Sequence, residues 1–328
     1  MYLGTTIDVT VVHVVDGDTI RVRFPFLTQE KSLRILSLET EESNSGSNKR
    51  ITPWGQRAKE RAQQFFQPED IATVEYPGTD PVDICQRRYQ DNYGRPLILI
   101  HKQGVDYQKI MIQEGYSPYF NKYGNAVFPE YHQRYRQAER VAQQANLGIW
   151  DQMTANGADV HNYAALGVWW NLRARIIDDF RQFRTQNPNL LNSRLDFEAI
   201  VAKAQRQEQA VVFTELRSLR PITTTSARIE IGSVKQPFNL YIPHTDSLEG
   251  KALINLLHHR YFSTEDAPKR SYAYVAGQLR IFNKNPQMTV NSPSQITDEP
   301  PDLAAARAPT LEDLNAFLSS SSSSTYSV

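Results

Sequence analysis

Asp18, Glu39 and Glu42 place three carboxylates in a short stretch of chain, and Arg34 and Arg95 add two guanidinium groups. Asp18 and Glu39 offer hard oxygen ligands on neighbouring segments, a donor set suited to calcium or magnesium rather than zinc. Arginine clamps phosphate well because its planar fork donates two parallel hydrogen bonds. Glu42 lies three residues beyond Glu39, close enough to share a pocket without binding the ion directly. An ion, two arginines and a spare carboxylate are the parts that hydrolysis of a phosphodiester needs.

These residues lie in four short segments in a fixed order. They are Val15-Asp16-Gly17-Asp18-Thr19, then Leu33-Arg34-Ile35-Leu36-Ser37-Leu38-Glu39-Thr40-Glu41-Glu42, then Asp91-Asn92-Tyr93-Gly94-Arg95, and finally Leu147-Gly148-Ile149-Trp150. Alone, each is ordinary: an Asp-Gly-Asp-Thr turn closes a hairpin, and acidic pairs are usually solvated. Their conjunction carries the reading. Tyr93 and Tyr123 are candidates to stack on or hydrogen-bond a nucleotide, against the plainer role of packing at a barrel edge.

Strands must position the first segments. Ile7, Val9 and Val11 alternate with polar neighbours, as do Ile20, Val22 and Phe24, and Asp16-Gly17-Asp18 between them is turn chemistry. Leu33–Leu38 is a third short strand. Thr52-Pro53 supplies an N-cap and a first-turn proline for a helix carrying Ala58, Ala62 and Phe65. Further strands are expected at Ile71–Tyr76 and Leu97–His101, with helices over Tyr107–Gln113 and from about Pro129 to Gly148. Strands first and helices later argue for an α+β, mainly β domain built on a small barrel. Beyond Trp150, Leu166, Trp169, Ile176, Phe180 and Phe183 trace a helix, and a second covers Asp196–Gln209. Strands at Val211–Leu216, Ala227–Ile231, Phe238–Ile242, Tyr272–Phe282 and Gln287–Val290, with a helix at Gly250–His259, suit a second small barrel. No internal repeat is readable between the halves.

Composition bounds the answer. Lys+Arg and Asp+Glu are both 36, so no global field draws the chain onto an anionic polymer, and nucleic-acid binding must come from local arrangement. Residues 165–290 hold 17 basic against 11 acidic side chains, whereas Arg307 faces five acids from 291 onward. That last stretch, rich in Pro, Ala and acid and ending in six serines, reads as a disordered tail, with Leu311–Leu318 as a short docking peptide. One cysteine, Cys85, excludes a disulfide framework and a thiolate zinc site, and it is read as inert. His258-His259 reads as a helix end and Trp169-Trp170 as helix-packing core. Nothing spans a membrane. The N-terminus lacks the pattern of a secretory signal, so a cytoplasmic location is expected, or export if a leader was trimmed.

Over residues 5–151 the segments resemble the staphylococcal nuclease (thermonuclease) family. The resemblance implies a five-stranded oligonucleotide-binding (OB) barrel with three helices, and a calcium-dependent endonuclease acting on DNA and RNA, single strands preferred, to give 3′-phosphate ends. It places Asp18, Glu39 and the Thr40 carbonyl on the metal, with magnesium the lesser alternative. Arg34 and Arg95 fall on the phosphate, and Glu42 serves as general base. Three positions depart from the family pattern. Glu39 stands for aspartate, Glu41 for a proline, which is expected to loosen the loop or alter metal preference, and Asn92 for a lysine that meets a terminal phosphate.

Tyr274–Ile296 resembles the closing strands of nucleic-acid-binding OB barrels. This implies a groove in which Lys269, Arg270, Arg280 and Lys284 lie near Tyr272, Tyr274 and Phe282. The expected organisation is a nuclease domain over 1–151, a helical connector over 152–208, an OB-like domain over 209–298 and the tail over 299–328. The contrasting reading is a non-catalytic scaffold that binds nucleic acid, a protein partner or a second copy through its C-terminal half.

Overall fold

The computed structural model describes residues 1–43, 51–156, 159–264 and 267–301. The tail expected from 302 onward, with its Leu311–Leu318 peptide, lies outside the described residues. Thr6–Asp16 (β1), Thr19–Arg23 (β2) and Glu30–Ile35 (β3) form an antiparallel meander, followed by Pro53–Phe65 (α1), Ile71–Glu75 (β4) and Val82–Arg88 (α2). Leu97–Lys102 (β5), Val105–Asp106 (β6), Tyr107–Gln113 (α3) and Pro129–Gln144 (α4) complete this half. The eleven-residue β1 is long enough to serve two neighbours. Its first half pairs with β4 from Thr6↔Glu75 to Thr10↔Ile71, and its second half pairs with β2. A parallel pairing of β3 with β5 closes the five-stranded barrel.

Of the positions read from alternation, Val9, Val11, Ile20, Val22 and Phe24 are buried and Ile7 is partly exposed; Leu33, Ala72, Val74 and Ile98 are buried as well. On α1 the Thr52 hydroxyl accepts from Gly55 N at 3.2 Å, and Ala58 and Ala62 face the core. Gly55 is glycine for a steric reason, since a Cβ there would stand 2.1 Å from the Glu42 carbonyl oxygen. Gly115 and Gly148 hold positive φ and pack backbone to backbone, with Ile149 N donating to the Gly115 carbonyl at 2.9 Å. The Leu-Gly-Ile-Trp segment is thus a latch that closes the domain behind α3. Cys85 is buried in α2, where burial pushes its thiol up to about 11.

Gln152–Asn156 (α5) and Tyr163–Gln186 (α6) lead through Leu191–Asn192 (β7) and Phe197–Gln205 (α7) to a second sheet. Its strands are Gln209–Glu215 (β8), Leu219–Thr223 (β9), Ser226–Glu230 (β10), Asn239–Ile242 (β11), Tyr272–Phe282 (β12), Asn285–Thr289 (β13) and Ile296–Thr297 (β14), with Leu248–Leu256 (α8) between β11 and β12. β8 and β9 are two parts of one run of chain, the first paired with β12 and the second with β10. β11 runs parallel to β13, which is antiparallel to β12. This is the connectivity of the first barrel, with β8–β9 in the role of β1 and α8 in that of α1. The two halves repeat in topology although no repeat is readable in the residues. Tyr272 and Tyr274, expected in a binding groove, are buried instead, packed with Phe213 and Phe180 against α6. Arg270 pairs with Asp298, and Lys269 Nζ donates to the His258 carbonyl. Arg280 and Phe282 remain exposed, and the Arg280 guanidinium lies 5.8 Å from the Tyr241 ring centre. His258 and His259 lie in a π-helical turn after α8. Trp170 is buried, while Trp169 is partly exposed.

The halves are joined by a buried carboxylate. Glu41, in the loop after β3, is 1% exposed. Its Oε1 accepts from His161 N at 2.8 Å and the Tyr163 hydroxyl at 2.6 Å, and meets His161 Nδ1 at 2.8 Å. Burial works to raise its pKa, but these hydrogen bonds outweigh burial and hold it below the ordinary carboxylate value. The expectation that an acid at this position loosens the loop is therefore corrected: Glu41 fastens the loop to the start of α6.

Glu75, fully buried at the end of β4, does the same for the N-terminus. It accepts from Leu3 N (2.6 Å), Gly4 N (2.7 Å) and the Tyr131 hydroxyl (2.6 Å), and meets His101 Nε2 at 2.9 Å. Burial opposes its charge, but the bonds from His101, Tyr131 and the two amides leave its pKa lowered from 4.5. A depressed carboxyl stabilises the fold above its unfolded pKa and loses that contribution as pH falls through the folded one. Urea denaturation at a series of pH values should show stability falling from pH 4.5 downward. Glu75→Gln is expected to cost about 3 kcal/mol at neutral pH and to flatten that acid limb. An unchanged limb would assign it to other groups. For the joint between the halves, a double-mutant cycle of Glu41→Gln with Tyr163→Phe should give a coupling of about 1–3 kcal/mol, and a coupling near zero would mean the clamp does not form in solution.

Candidate active site

Arg34 occupies β3 at the point of barrel closure, opposite Thr19 on β2 and Leu97 on β5. Its fork reaches in two directions. Nη1 pairs with Asp18 Oδ2 at 2.5 Å, and Nη2 pairs with Glu39 Oε2 at 2.6 Å and donates to the Leu38 carbonyl at 2.9 Å. Burial opposes the guanidinium charge, but Asp18 and then Glu39 overcome it, so its pKa lies above the ordinary value. The Asp18 carboxylate also accepts from the Thr19 hydroxyl at 2.9 Å and from Thr40 N at 3.3 Å. Ser37, at φ 64°, turns the chain after β3 so that Leu38–Glu42 crosses this end of the barrel, and the Ser117 hydroxyl accepts from Glu39 N at 2.9 Å.

Arg95 arrives on the loop before β5. Asp91 organises that loop: its Oδ1 accepts from Tyr93 N (2.9 Å) and Arg95 N (2.8 Å), and its Oδ2 pairs with Arg95 Nε at 2.6 Å. Arg95 Nη1 donates to the Thr19 hydroxyl at 3.4 Å. Thr19 therefore links the two arginines through Asp18. Tyr93 is 75% exposed, with the Arg95 guanidinium 5.5 Å from its ring centre. Tyr123 is 48% exposed, has Lys122 over its ring, and bears electrostatically on Arg34.

Glu42 is half-buried beside Asp16, and its backbone carbonyl accepts from Thr52 N at 3.2 Å. Asp16 belongs to this group although the sequence reading assigned roles only to its neighbour Asp18. Its Oδ1 accepts from Gly17 N at 2.8 Å and the Ser43 hydroxyl at 3.1 Å. Burial, and next the charge of Asp18, push its carboxyl up to about 6. The signal was present as the first acid of Asp16-Gly17-Asp18. Thr19, the link between the arginines, was also quoted without a role.

The donor chemistry fits a hard divalent cation. Asp16, Asp18, Glu39 and the Thr40 carbonyl offer the hard oxygen donors that such an ion takes, and the charge of Asp18 works against that of Asp16. Among the described residues no three acidic, histidine or cysteine side chains already stand in a metal-holding cluster. Asp18 and Glu39 instead face Arg34, and the longer Glu39 side chain reaches back to it. The structure thus brings together Asp18, Arg34, Glu39 and Thr40, joins Arg95 through Thr19, and sets Tyr93 and Tyr123 around them.

Loops that carry these residues are held by the C-terminal half. Besides the Glu41 clamp, Val234 N donates to the Asn92 carbonyl at 3.1 Å and Lys235 Nζ to the Gly94 carbonyl at 2.8 Å. Around Tyr123, Asn121 and Asn125 bond to Asn171 and Asp178 of α6.

Comparison with known proteins agrees with this arrangement. Over 150 residues the chain is 29% identical to the uncharacterized protein pXO1-141 of Bacillus anthracis, covering 44% of this chain and 61% of that protein. Over 146 residues it is 27% identical to the SPbeta prophage-derived endonuclease YokF of Bacillus subtilis, covering 44% of this chain and 45% of the relative. The match therefore spans about half the length of these curated relatives. The family model for staphylococcal nuclease homologues matches residues 32–152. Arg34, Glu39–Glu42 and Arg95 lie inside the stretch that matches the staphylococcal nuclease family model, and the β1–β2 hairpin, outside it, completes its barrel.

Proposed function

We propose that the first barrel hydrolyses phosphodiester bonds in DNA and RNA, preferring single strands and leaving 3′-phosphate ends, with calcium as its ion. The observation that carries this reading is the continuous chain of contacts Glu39–Arg34–Asp18–Thr19–Arg95, which sets two guanidinium groups beside two carboxylates at one end of the barrel. The family match and the endonuclease name of one relative support it.

Asp18, Glu39 and the Thr40 carbonyl would hold the ion, with Asp16 behind them; when bound, it would neutralise a non-bridging phosphate oxygen. Substrate binding is an exchange of partners. Arg34 gives up carboxylate oxygens for phosphate oxygens, and Arg95 swings a guanidinium edge from the Thr19 hydroxyl. Both arginines then stabilise the charge of the five-coordinate phosphorus as the 5′-oxygen leaves. Glu42 orients the attacking water and takes its proton. Tyr93 and Tyr123 provide faces for flanking bases, and the exposed Arg280, Tyr241 and Phe282 give the second barrel a contact with single strands.

The test is digestion of single-stranded DNA, duplex DNA and RNA with calcium, with magnesium and with chelator. Cleavage should require the ion, and Arg34→Ala, Arg95→Ala and Glu42→Ala should each lower kcat by about 10²–10³-fold. Cleavage that persists in chelator, or that survives all three substitutions, overturns the assignment.

A further inference from the structure

A cavity of about 360 Å³ lies at the junction of the two barrels, away from the carboxylate cluster. One wall is Asn92, next to Tyr93 in the loop that carries Arg95; the others come from the second barrel, including Arg217, Arg228, Ser233, Asn239 and Asn285. Its volume falls near the lower end of the roughly 300–1,000 Å³ spanned by small-molecule sites, enough for one nucleotide unit. Its chemistry is also that of a nucleotide. Arg217 donates to the carbonyls of Glu230 and Gly232 at 2.8 and 2.9 Å, and burial lowers its pKa, so an anion would stabilise its charge. Arg228 donates through Nη2 to Glu230 at 3.0 Å, while its Nε–H is enclosed with no acceptor. Three amides, a hydroxyl and the Glu230 carboxylate, which Arg228 and Arg220 neutralise at 3.0 and 3.5 Å, complete the polar wall.

The cavity is connected to the catalytic end. The same segment that lines it, Ser233–Val234, continues into Lys235 and is hydrogen-bonded to the 91–95 loop that carries Arg95. We propose that this cavity takes a flanking nucleotide of the polynucleotide whose scissile phosphate lies at Arg34 and Arg95, making the second barrel part of the substrate path. The proposal rests on the nuclease reading.

The test compares two substrates in the full-length protein: a single strand of about a dozen nucleotides, and the p-nitrophenyl ester of thymidine 5′-phosphate, too short to reach the cavity. Arg228→Gln and Asn285→Ala are the variants, because Arg217 also braces the β10 end. For the long strand, Arg228→Gln should raise KM about tenfold, as for one charge-assisted hydrogen bond. The slope of log KM against log salt should fall by about 0.7. The short ester should keep its kcat/KM. Equal losses on both substrates, or no loss on either, overturn the proposal. So does inhibition by free thymidine 5′-phosphate that Arg228→Gln relieves without changing the strand's KM, since the occupant is then a free nucleotide. If the wild type cleaves neither substrate, the nuclease reading fails by itself. Fluorescence anisotropy of the labelled strand then decides the cavity: weaker binding by Arg228→Gln sustains it, and equal binding removes it.

Discussion

The parallel pairing of β3 with β5 is the constraint from which the rest of the site follows. It spans only Arg34↔Leu97 and Ile35↔Ile98, with Arg34 N donating to the Pro96 carbonyl at 2.9 Å. Yet it closes the barrel, and it does so at the residue whose guanidinium must lie between the Asp18 turn and the Arg95 loop. Parallel neighbours cannot be joined by a tight turn. The chain between β3 and β5 is therefore long, and it contains the Glu39–Glu42 loop, α1 and β4. Closure brings Arg34 beside the Arg95 loop, which the chain otherwise keeps about sixty residues away.

The second half of the chain is more than an appendage. It repeats the connectivity of the first barrel and reaches back to three of the loops that carry functional candidates: Glu41 through α6, the 91–95 loop through Val234 and Lys235, and the Tyr123 loop through Asn171 and Asp178. Loops are normally the least constrained parts of a domain. Here their positions are set by hydrogen bonds from outside the barrel.

Much of this was legible in the residues. Strand alternation placed both barrels' core positions, Thr52-Pro53 marked the start of α1, and the four ordered segments identified Asp18, Arg34, Glu39 and Arg95 as a group. What was hidden involved long separations. The role of Glu41 depends on partners 120 and 122 residues away, so its local pattern read as an acid that loosens the loop or alters metal preference. Tyr272 and Tyr274 sit at alternate positions beside basic residues, which reads as a groove, but α6 covers that face and turns them into core. The duplication of the barrel was invisible because the counterpart of β1 is broken at Leu216–Ser218 and shares no residue pattern with it. Asp16 was overlooked because a turn aspartate next to glycine already has a local explanation.

The Glu41 clamp also sets an order of events in synthesis. A nascent chain folds as it emerges, and all the strands of the first barrel precede residue 107. Glu41 must nevertheless wait for His161 and Tyr163. At roughly 5–20 residues per second, that interval lasts on the order of ten seconds. Until then the carboxylate lacks these three hydrogen bonds, so the loop bearing Glu39, Thr40 and Glu42 is not yet fastened to α6 although every strand of the barrel has been made. The fastening of this loop is timed by the arrival of the connector, not by the synthesis of the barrel strands it crosses.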